Sequence, residues 1–196
     1  GNYHISAEGV DLETVQSCGK DKNTELISAA RELGFAEIGS DNPDKPYLYI
    51  EAADETFFEE MPVHLTAGRL PERENEILLP EHLLYNGGVS CQIGDQLTLR
   101  TGKRVIREDA GEELGQHNPY MGDEEALADL TEETFTVTGF YERPDFEDYS
   151  APGYTALTRM PDSEITSDPA GNTSDYNIYV LLDHPKQVMD SYAEQY

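Results

Sequence analysis

Five histidines, two cysteines and forty carboxylates are the side chains in this chain whose types suit chemistry, and their spacing decides what chemistry is open to them. His4, His64, His82, His117 and His184 stand far apart. None forms the His-x-x-x-His or H-E-x-x-H pattern that turns two ring nitrogens toward one zinc ion from a single helical face. They read as surface or turn residues. No G-x-S-x-G turn presents a serine nucleophile to an activating base. Gly87-Gly88 lacks the G-x-x-x-x-G-K-S/T context of a phosphate cradle, so nucleotide hydrolysis is expected to belong to a separate ATPase. A glycosidase-type pair of acids draws no support from abundance, because the separation that matters is spatial. The expectation is a domain that is not an enzyme and has no catalytic, cofactor-binding or metal-binding residues.

The acidic residues point outward rather than to catalysis. Thirteen basic residues against 40 acidic ones give a net charge of −27, which repels phosphate backbones and makes nucleic acid an unsuitable partner. Between Glu108 and Glu133 the carboxylates Asp109, Glu112, Glu113, Asp123, Glu124, Glu125, Asp129 and Glu132 accumulate without a Lys or Arg. A solvated acidic loop over residues 101–131 is the expectation; attraction of cationic peptides or Ca²⁺ is the functional alternative. Asp145, Glu147 and Asp148, or Asp168 and Asp175, offer oxygen ligands but lack the spaced D-x-D-x-D-G loop of a calcium site. Cys18 and Cys91 allow one bridge at most, and Cys18 shares a helical face with Leu12 and Val15, which predicts a buried free thiol.

Contact chemistry is concentrated in one loop. In Tyr141-Glu142-Arg143-Pro144-Asp145-Phe146-Glu147-Asp148-Tyr149, continuing to Tyr154, aromatic rings alternate with charge, a composition that holds cationic or amphipathic ligands. Tyr141, Arg143, Phe146, Tyr149 and Tyr154 are the candidate partner-contact residues, with Tyr120 and Met121 extending them. The competing reading is that these rings pin the loop to its own subdomain. Arg69 has a similar choice between pairing with Glu72 or Glu74 and touching a partner.

The elements that position these residues follow from period and punctuation. Asp11 caps a helix carrying Leu12, Val15 and Cys18; a second helix is expected from Asn23 or Thr24, with Leu26, Ile27, Ala30 and Leu33 inward and Gly34 as its stop. Strands are expected at Tyr3–Ala7, Phe35–Gly39, Tyr47–Ala52, Gln96–Arg100, Thr136–Phe140, Tyr154–Thr158 and Tyr176–Leu182. Helical turns are expected at Thr56–Met61, Glu81–Tyr85 and Ala126–Leu130, and a closing helix over Pro185–Tyr196.

Four short motifs occur in order through the middle: Gly68-Arg69-Leu70-Pro71, Glu76-Ile77-Leu78-Leu79, Ile93-Gly94-Asp95-Gln96-Leu97 and Thr136-Val137-Thr138-Gly139-Phe140. Gly68 and Pro71 bracket a turn, Glu76–Leu79 begins a buried run, and Gly94-Asp95 marks a hairpin corner. The string resembles the extracytoplasmic domain of ABC transporter permeases of the MacB/FtsX-like family over residues 65–142. This resemblance implies an α+β fold: a porter-like βα subdomain made from both chain ends (residues 1–66 and 161–196), with a smaller β-rich subdomain inserted over residues 67–160. It also implies contact with a peptide, lipid or lipoprotein substrate or a protein partner, and a shared complex with the transmembrane part of the same permease and a cytoplasmic ABC ATPase. The expected location is the extracytoplasmic face of the bacterial plasma membrane.

No stretch reaches the roughly 18 to 20 apolar residues of a membrane helix. The chain opens at Gly1 without Met, as an excised domain does, so membrane anchors are expected in its flanks, and the C-terminal strand of the fold is expected either to be absent or to lie beyond Tyr196. A free-standing secreted acidic protein that binds cationic peptide or Ca²⁺ is the alternative. A secreted carboxylate-based hydrolase ranks last.

Overall fold

Tyr176, Ile178, Val180 and Leu182 are buried while the residues between them are half-buried, the period-two pattern of a strand with one face on a core. Strands make up most of the regular structure of the protein. The computed structural model describes residues 3–196; Gly1, on which the expectation of an excised domain rests, lies outside them. In chain order the elements are β1 (Ile5–Val10), α1 (Leu12–Lys20), β2 (Thr24–Glu37), β3 (Tyr47–Ala53) and α2 (Glu55–Glu60). Then come β4 (Leu65–Gly68), β5 (Glu76–Pro80), α3 (His82–Tyr85), β6 (Gln96–Ile106) and β7 (Asp109–Leu114). β8 (Glu125–Tyr141), β9 (Gly153–Arg159), β10 (Tyr176–Leu182) and α4 (Pro185–Gln195) complete the chain. This is an α+β architecture. The chain divides into two compact units, one comprising the segment that ends at Glu32 together with Ala52–Pro62 and Met160–Tyr196, the other Leu33–Glu51 and Val63–Arg159.

In the first unit β10 pairs antiparallel with both β1 and β2, with Ile5 opposite Val180 and Ala29 opposite Ile178. α1 starts where Asp11 Oδ1 accepts the Thr14 N–H at 2.8 Å, and it buries Leu12, Val15 and Cys18. α2 uses the same device, Asp54 accepting from Phe57 N at 2.8 Å. α4 is anchored by Tyr192, whose buried ring places its hydroxyl 2.7 Å from Thr24 Oγ1.

The second unit is a closed ring of strands. β2, β3, β9, β5, β8 and β6 follow one another, and β6 returns to β2 through Phe35 opposite Gly102. Closure puts alternate residues of each strand inside. Leu48 and Ile50, Ile77 and Leu79, Phe135 and Val137, and Tyr154 and Ala156 meet there as one core. β3 is buried on both faces, because Tyr47 and Tyr49 pack with Phe35 in a second cluster against Tyr120 and Leu127. β5 runs parallel to β8, and β4 pairs antiparallel with β8.

Several expectations are corrected. Residues 24–34 form the start of β2 and not a helix: Leu26, Ile27 and Ala30 have helical spacing, yet pairing with β10 takes their backbone groups into a ladder, so tertiary context overrides local preference. Gly34 is not a helix stop; at φ +125° it stands where a Cβ would be 2.6 Å from the Gly102 carbonyl, at the ring closure. Most of residues 101–131 is not a loop but the ends of β6 and β8 with β7 beside them, and residues 126–130 are strand rather than helical turn. The acids there look unopposed only along the sequence, since across the ladder Arg100 faces Glu132 and Lys103 reaches Glu113 at 3.3 Å. Gly94-Asp95 is not a hairpin between two strands; it carries the chain from the segment after α3 into β6. Cys18 and Cys91 are both free, and Cys18 is fully buried as expected.

Candidate functional site

Three segments meet at one end of the strand ring. Pro80 ends β5, and Glu81 N donates to the Tyr141 carbonyl at 2.8 Å, which fixes α3 beside the end of β8. α3 is a single turn and presents His82 inward. The loop after β8 folds into two turns, Glu147 N to Pro144 O at 3.2 Å and Ala151 N to Asp148 O at 3.1 Å, and these bring Glu147 under the loop. A third turn, Lys45 N to Asn42 O at 3.1 Å, sets Lys45 at the start of β3.

Glu147 is the centre of this arrangement, with its side chain fully removed from solvent. Its Oε2 lies 2.7 Å from His82 Nε2 and 3.1 Å from Lys45 Nζ. Its Oε1 accepts from both Thr155 N at 2.7 Å and Thr155 Oγ1 at 2.8 Å. Burial pushes the Glu147 carboxyl up, but the His82 hydrogen bond, the His82 and Lys45 charges and the Thr155 hydroxyl outweigh it and hold the group below the ordinary carboxylate value. Lys45 is pushed down by its own burial, and Arg143 adds to that. The ammonium also donates to the Ala151 carbonyl at 2.7 Å and sits 5.0 Å from the centre of the Tyr154 ring.

A cleft of about 300 Å³ opens above this cluster. Lys45 and His82 lie on it, as do Asn42, Tyr85, Arg143 and Tyr149. Both oxygens of Glu147 are already occupied, so the carboxylate has no lone pair placed to take a proton from a bound molecule. The arrangement suits binding. Among the described residues no group of three or more His, Cys, Asp or Glu side chains is placed to hold a metal ion.

Compared with known proteins, the sequence matches no family model and no curated protein. Its structure is similar to a domain of a candidate permease protein from Porphyromonas gingivalis at 15% identity and a TM-score of 0.50, covering 98% of this chain and 77% of that one. It is similar to the extracellular domain of the noncanonic ABC-type transporter YknZ from Gram-positive bacteria at 8% identity and a TM-score of 0.51, covering 95% and 88%. The chain carries the fold of an extracellular ABC-transporter domain. The periplasmic region of MacB from Actinobacillus actinomycetemcomitans is also similar, at 12% identity and a TM-score of 0.49, over 96% of this chain and 73% of that one. Among the described residues, no helix is long and apolar enough to cross a membrane.

Of the five residues singled out in the aromatic loop, two are buried in the strand ring, two line the cleft and Phe146 does neither. Tyr141 is fully buried and donates to the Thr155 carbonyl at 2.6 Å; Tyr154 is fully buried and donates to Asn86 Oδ1 at 2.7 Å. Neither presents a surface to a partner, and both are corrected to residues of the strand ring. Arg143 and Tyr149 do line the cleft: the guanidinium carbon is 4.1 Å from the centre of the Tyr149 ring, which is 93% exposed. Phe146 is half-buried. Tyr120 packs edge-on against Tyr47 at 5.7 Å, and Met121 is 39% exposed.

Four histidines are exposed as expected, but His82 is buried and its reading as a surface residue is corrected. Asp145, Glu147 and Asp148 do not converge as ligands, since Glu147 is enclosed and Asp148 Oδ2 lies 2.5 Å from His117 Nδ1. Arg69 pairs with neither Glu72 nor Glu74 but grips Glu76 with two nitrogens, at 2.5 and 3.1 Å. That hydrogen bonding holds the Glu76 carboxyl at about 2. Lys45, His82 and Glu147 were not legible as a set, because they come from three separated stretches and no spacing links them.

Replacing Glu147 with glutamine is expected to cost about 3 kcal/mol at neutral pH, because Lys45 is left as a buried cation without its counter-charge. The folded carboxyl lies below its unfolded value, so the stabilisation is present above about pH 4.3 and is lost as the pH falls through the folded value. Urea denaturation at several pH values checks this: the gap between wild type and Glu147→Gln should be widest near neutrality and narrow in acid. A pH-independent gap would contradict it.

Proposed function

We propose that this chain is a non-catalytic extracytoplasmic domain of a MacB/FtsX-like ABC permease, which contacts a substrate or partner and couples movement of the transmembrane helices to the outer face. The observation that supports the reading is the joint one: four motifs resembling those of such permeases occur in order, in a chain whose fold is similar over nearly its full length to a permease domain and to an extracellular ABC-transporter domain. Its partners are the transmembrane part of the same permease and a cytoplasmic ATPase, and its substrate is a peptide, lipid or lipoprotein. The porter-like subdomain comes from both chain ends and the β-rich one is inserted between them. Coupling requires that the contacts differ between two permease states, because a ligand shifts an equilibrium only by its differential affinity. The cleft at Arg143 and Tyr149 supplies the contact surface.

The gene on either side of this segment tests the reading. Apolar stretches of about 20 residues both upstream and downstream, each long enough to span a bilayer, are the expected finding. A signal peptide directly before the segment and a stop codon directly after it would overturn the proposal in favour of a free-standing secreted binder.

A further inference from the structure

Positive charge is scarce in this protein, yet Lys45 and Arg143 both line the cleft, and His82 lines it with them. The buried Glu147 carboxylate and Asp44 at the wall are the acids that face them. Local charge is therefore close to balanced on a chain of net charge −27. Two further features distinguish the site. Arg143 donates through Nη2 to the Glu147 carbonyl at 2.6 Å, and its other N–H groups have no acceptor among the described residues. His82, 4% exposed, has a buried Nδ1 that also has no hydrogen-bond partner among them. A guanidinium with open donors is a planar fork that fits a carboxylate or phosphate.

We propose that the cleft binds the carboxylate of a peptide-like ligand, with Arg143 as its anchor and the rings of Tyr85 and Tyr149 holding the residue that carries it. The proposal rests on the reading of this cleft as the contact surface and adds the class of ligand. A single negative charge suits the site better than a doubly charged phosphate group, since the field of a strongly acidic protein opposes the second charge. Tyr85 is 71% exposed, and Tyr149 has one face under Arg143 and the other open. Two exposed tyrosines beside an arginine are the composition that dominates polypeptide recognition. Asn86 Nδ2 adds an amide donor for a peptide carbonyl, while the Oδ1 atoms of Asn42 and Asn86 are taken up by Asp44 N, Tyr154 and the Asn42 amide.

The test is an NMR titration of the ¹⁵N-labelled chain with N-acetylphenylalanine, its uncharged amide, and inorganic phosphate. Millimolar-range binding of the acid is expected, with shifts centred on the loop 143–151 and α3, and with the amide and phosphate each at least about tenfold weaker. Arg143→Gln should weaken the acid by about tenfold and remove the preference over the amide. Tyr149→Ala, at a ring too exposed to affect folding, should weaken acid and amide alike. A tripeptide with a free C-terminus should bind at least about tenfold tighter than acetate, which distinguishes a peptide terminus from any small carboxylate. Equal binding of acid and amide, tighter binding of phosphate, or no shifts with the acid would overturn the proposal. Those failures leave the permease reading standing if the gene encodes membrane helices on both sides, whereas flanks without them overturn the permease reading whatever the titration shows.

Discussion

Arg104→Met is expected to lower the stability of the second unit by about 4 kcal/mol, one of the two largest effects foreseen for a single substitution. Arg104 is fully buried and donates five times: to Glu125 through Nε at 2.8 Å and Nη2 at 2.6 Å, and to the carbonyls of Gly115, Asn118 and Pro119 at 2.6, 2.8 and 3.1 Å. Methionine fills much of the volume but leaves Glu125 charged in the interior with only the Tyr47 hydroxyl at 2.9 Å and Met121 N at 2.8 Å to hold it. A buried pair broken on one side costs far more than a pair removed whole. The double variant Arg104→Met/Glu125→Leu should therefore recover most of the loss. Burial pushes the Glu125 carboxyl up, but Arg104, the Met121 N–H and Tyr47 hold it below its usual value, so the contribution of the pair is present above the carboxylate range and drains in acid. Urea unfolding of the single and double variants at neutral and acid pH checks all three statements. A double variant no better than Arg104→Met would overturn the account.

The consequence reaches the cleft. The carbonyls that Arg104 holds belong to residues 115–119, and Gln116 in that stretch donates to the Gly153 carbonyl at 2.7 Å and accepts from Gly153 N at 3.1 Å. Its neighbour His117 pairs with Asp148. One buried guanidinium thus braces the loop that carries Glu147 and Tyr149, although it touches neither.

Elements whose burial pattern is local were legible in the sequence. β10 alternates cleanly, α1 has both a cap and an apolar face, β3 and β5 are mostly apolar short runs, and β9 is rich in the Tyr and Thr that suit a strand. β2 was misread because Leu26, Ile27, Ala30 and Leu33 satisfy a helical period equally well, and the partner that decides the matter, β10, lies some 150 residues later. The acidic stretch was misread for a related reason: its strands are held by Arg100, Lys103 and Arg104 on β6, and a run of like charge viewed alone gives no sign of neighbours across a ladder. At the site, Arg143 and Tyr149 were recognisable because aromatic and charged residues adjoin in one loop. Tyr141 and Tyr154 have the same composition and the same neighbourhood but belong to strands that turn them inward, a distinction set by register. The four motifs were legible as a series, but the reason they occur together was not.

That reason yields the last prediction: Gly139→Ala is expected to destabilise the second unit by about 3 kcal/mol or more, although it adds one methyl group. The first three motifs converge on the fourth, residues 136–139 of β8. Gly68 lies opposite Gly139, Arg69 N donates to the Thr138 carbonyl at 3.0 Å, Ile77 lies opposite Val137, and Gly94 N donates to the Val137 carbonyl at 2.8 Å. At Gly139 a Cβ would stand 2.6 Å from the Ala67 carbonyl and 2.8 Å from that of Arg69, both backbone atoms that cannot swing aside. Gly68 is constrained from the other side, at φ +72° with a Cβ falling against the Thr138 carbonyl, so Gly68→Ala strains the same crossing. Because the two substitutions displace the same pair of strands, their costs should not add, and the double variant should be less unstable than the sum by at least about 0.5 kcal/mol. Gly94→Ala is the internal control: its φ is +95° but nothing lies within 4 Å of the added carbon, so only backbone strain of about 1 to 3 kcal/mol applies. Urea unfolding monitored by tyrosine signal, with amide exchange at Arg69 and Val137, distinguishes these cases. Exchange at both amides should quicken in Gly139→Ala and Gly68→Ala, while Gly94→Ala should leave Arg69 protected. A Gly139→Ala protein within about 1 kcal/mol of wild type would mean that β4 can move away from β8 at little cost, and that the glycines of the first and last motifs are not matched to each other.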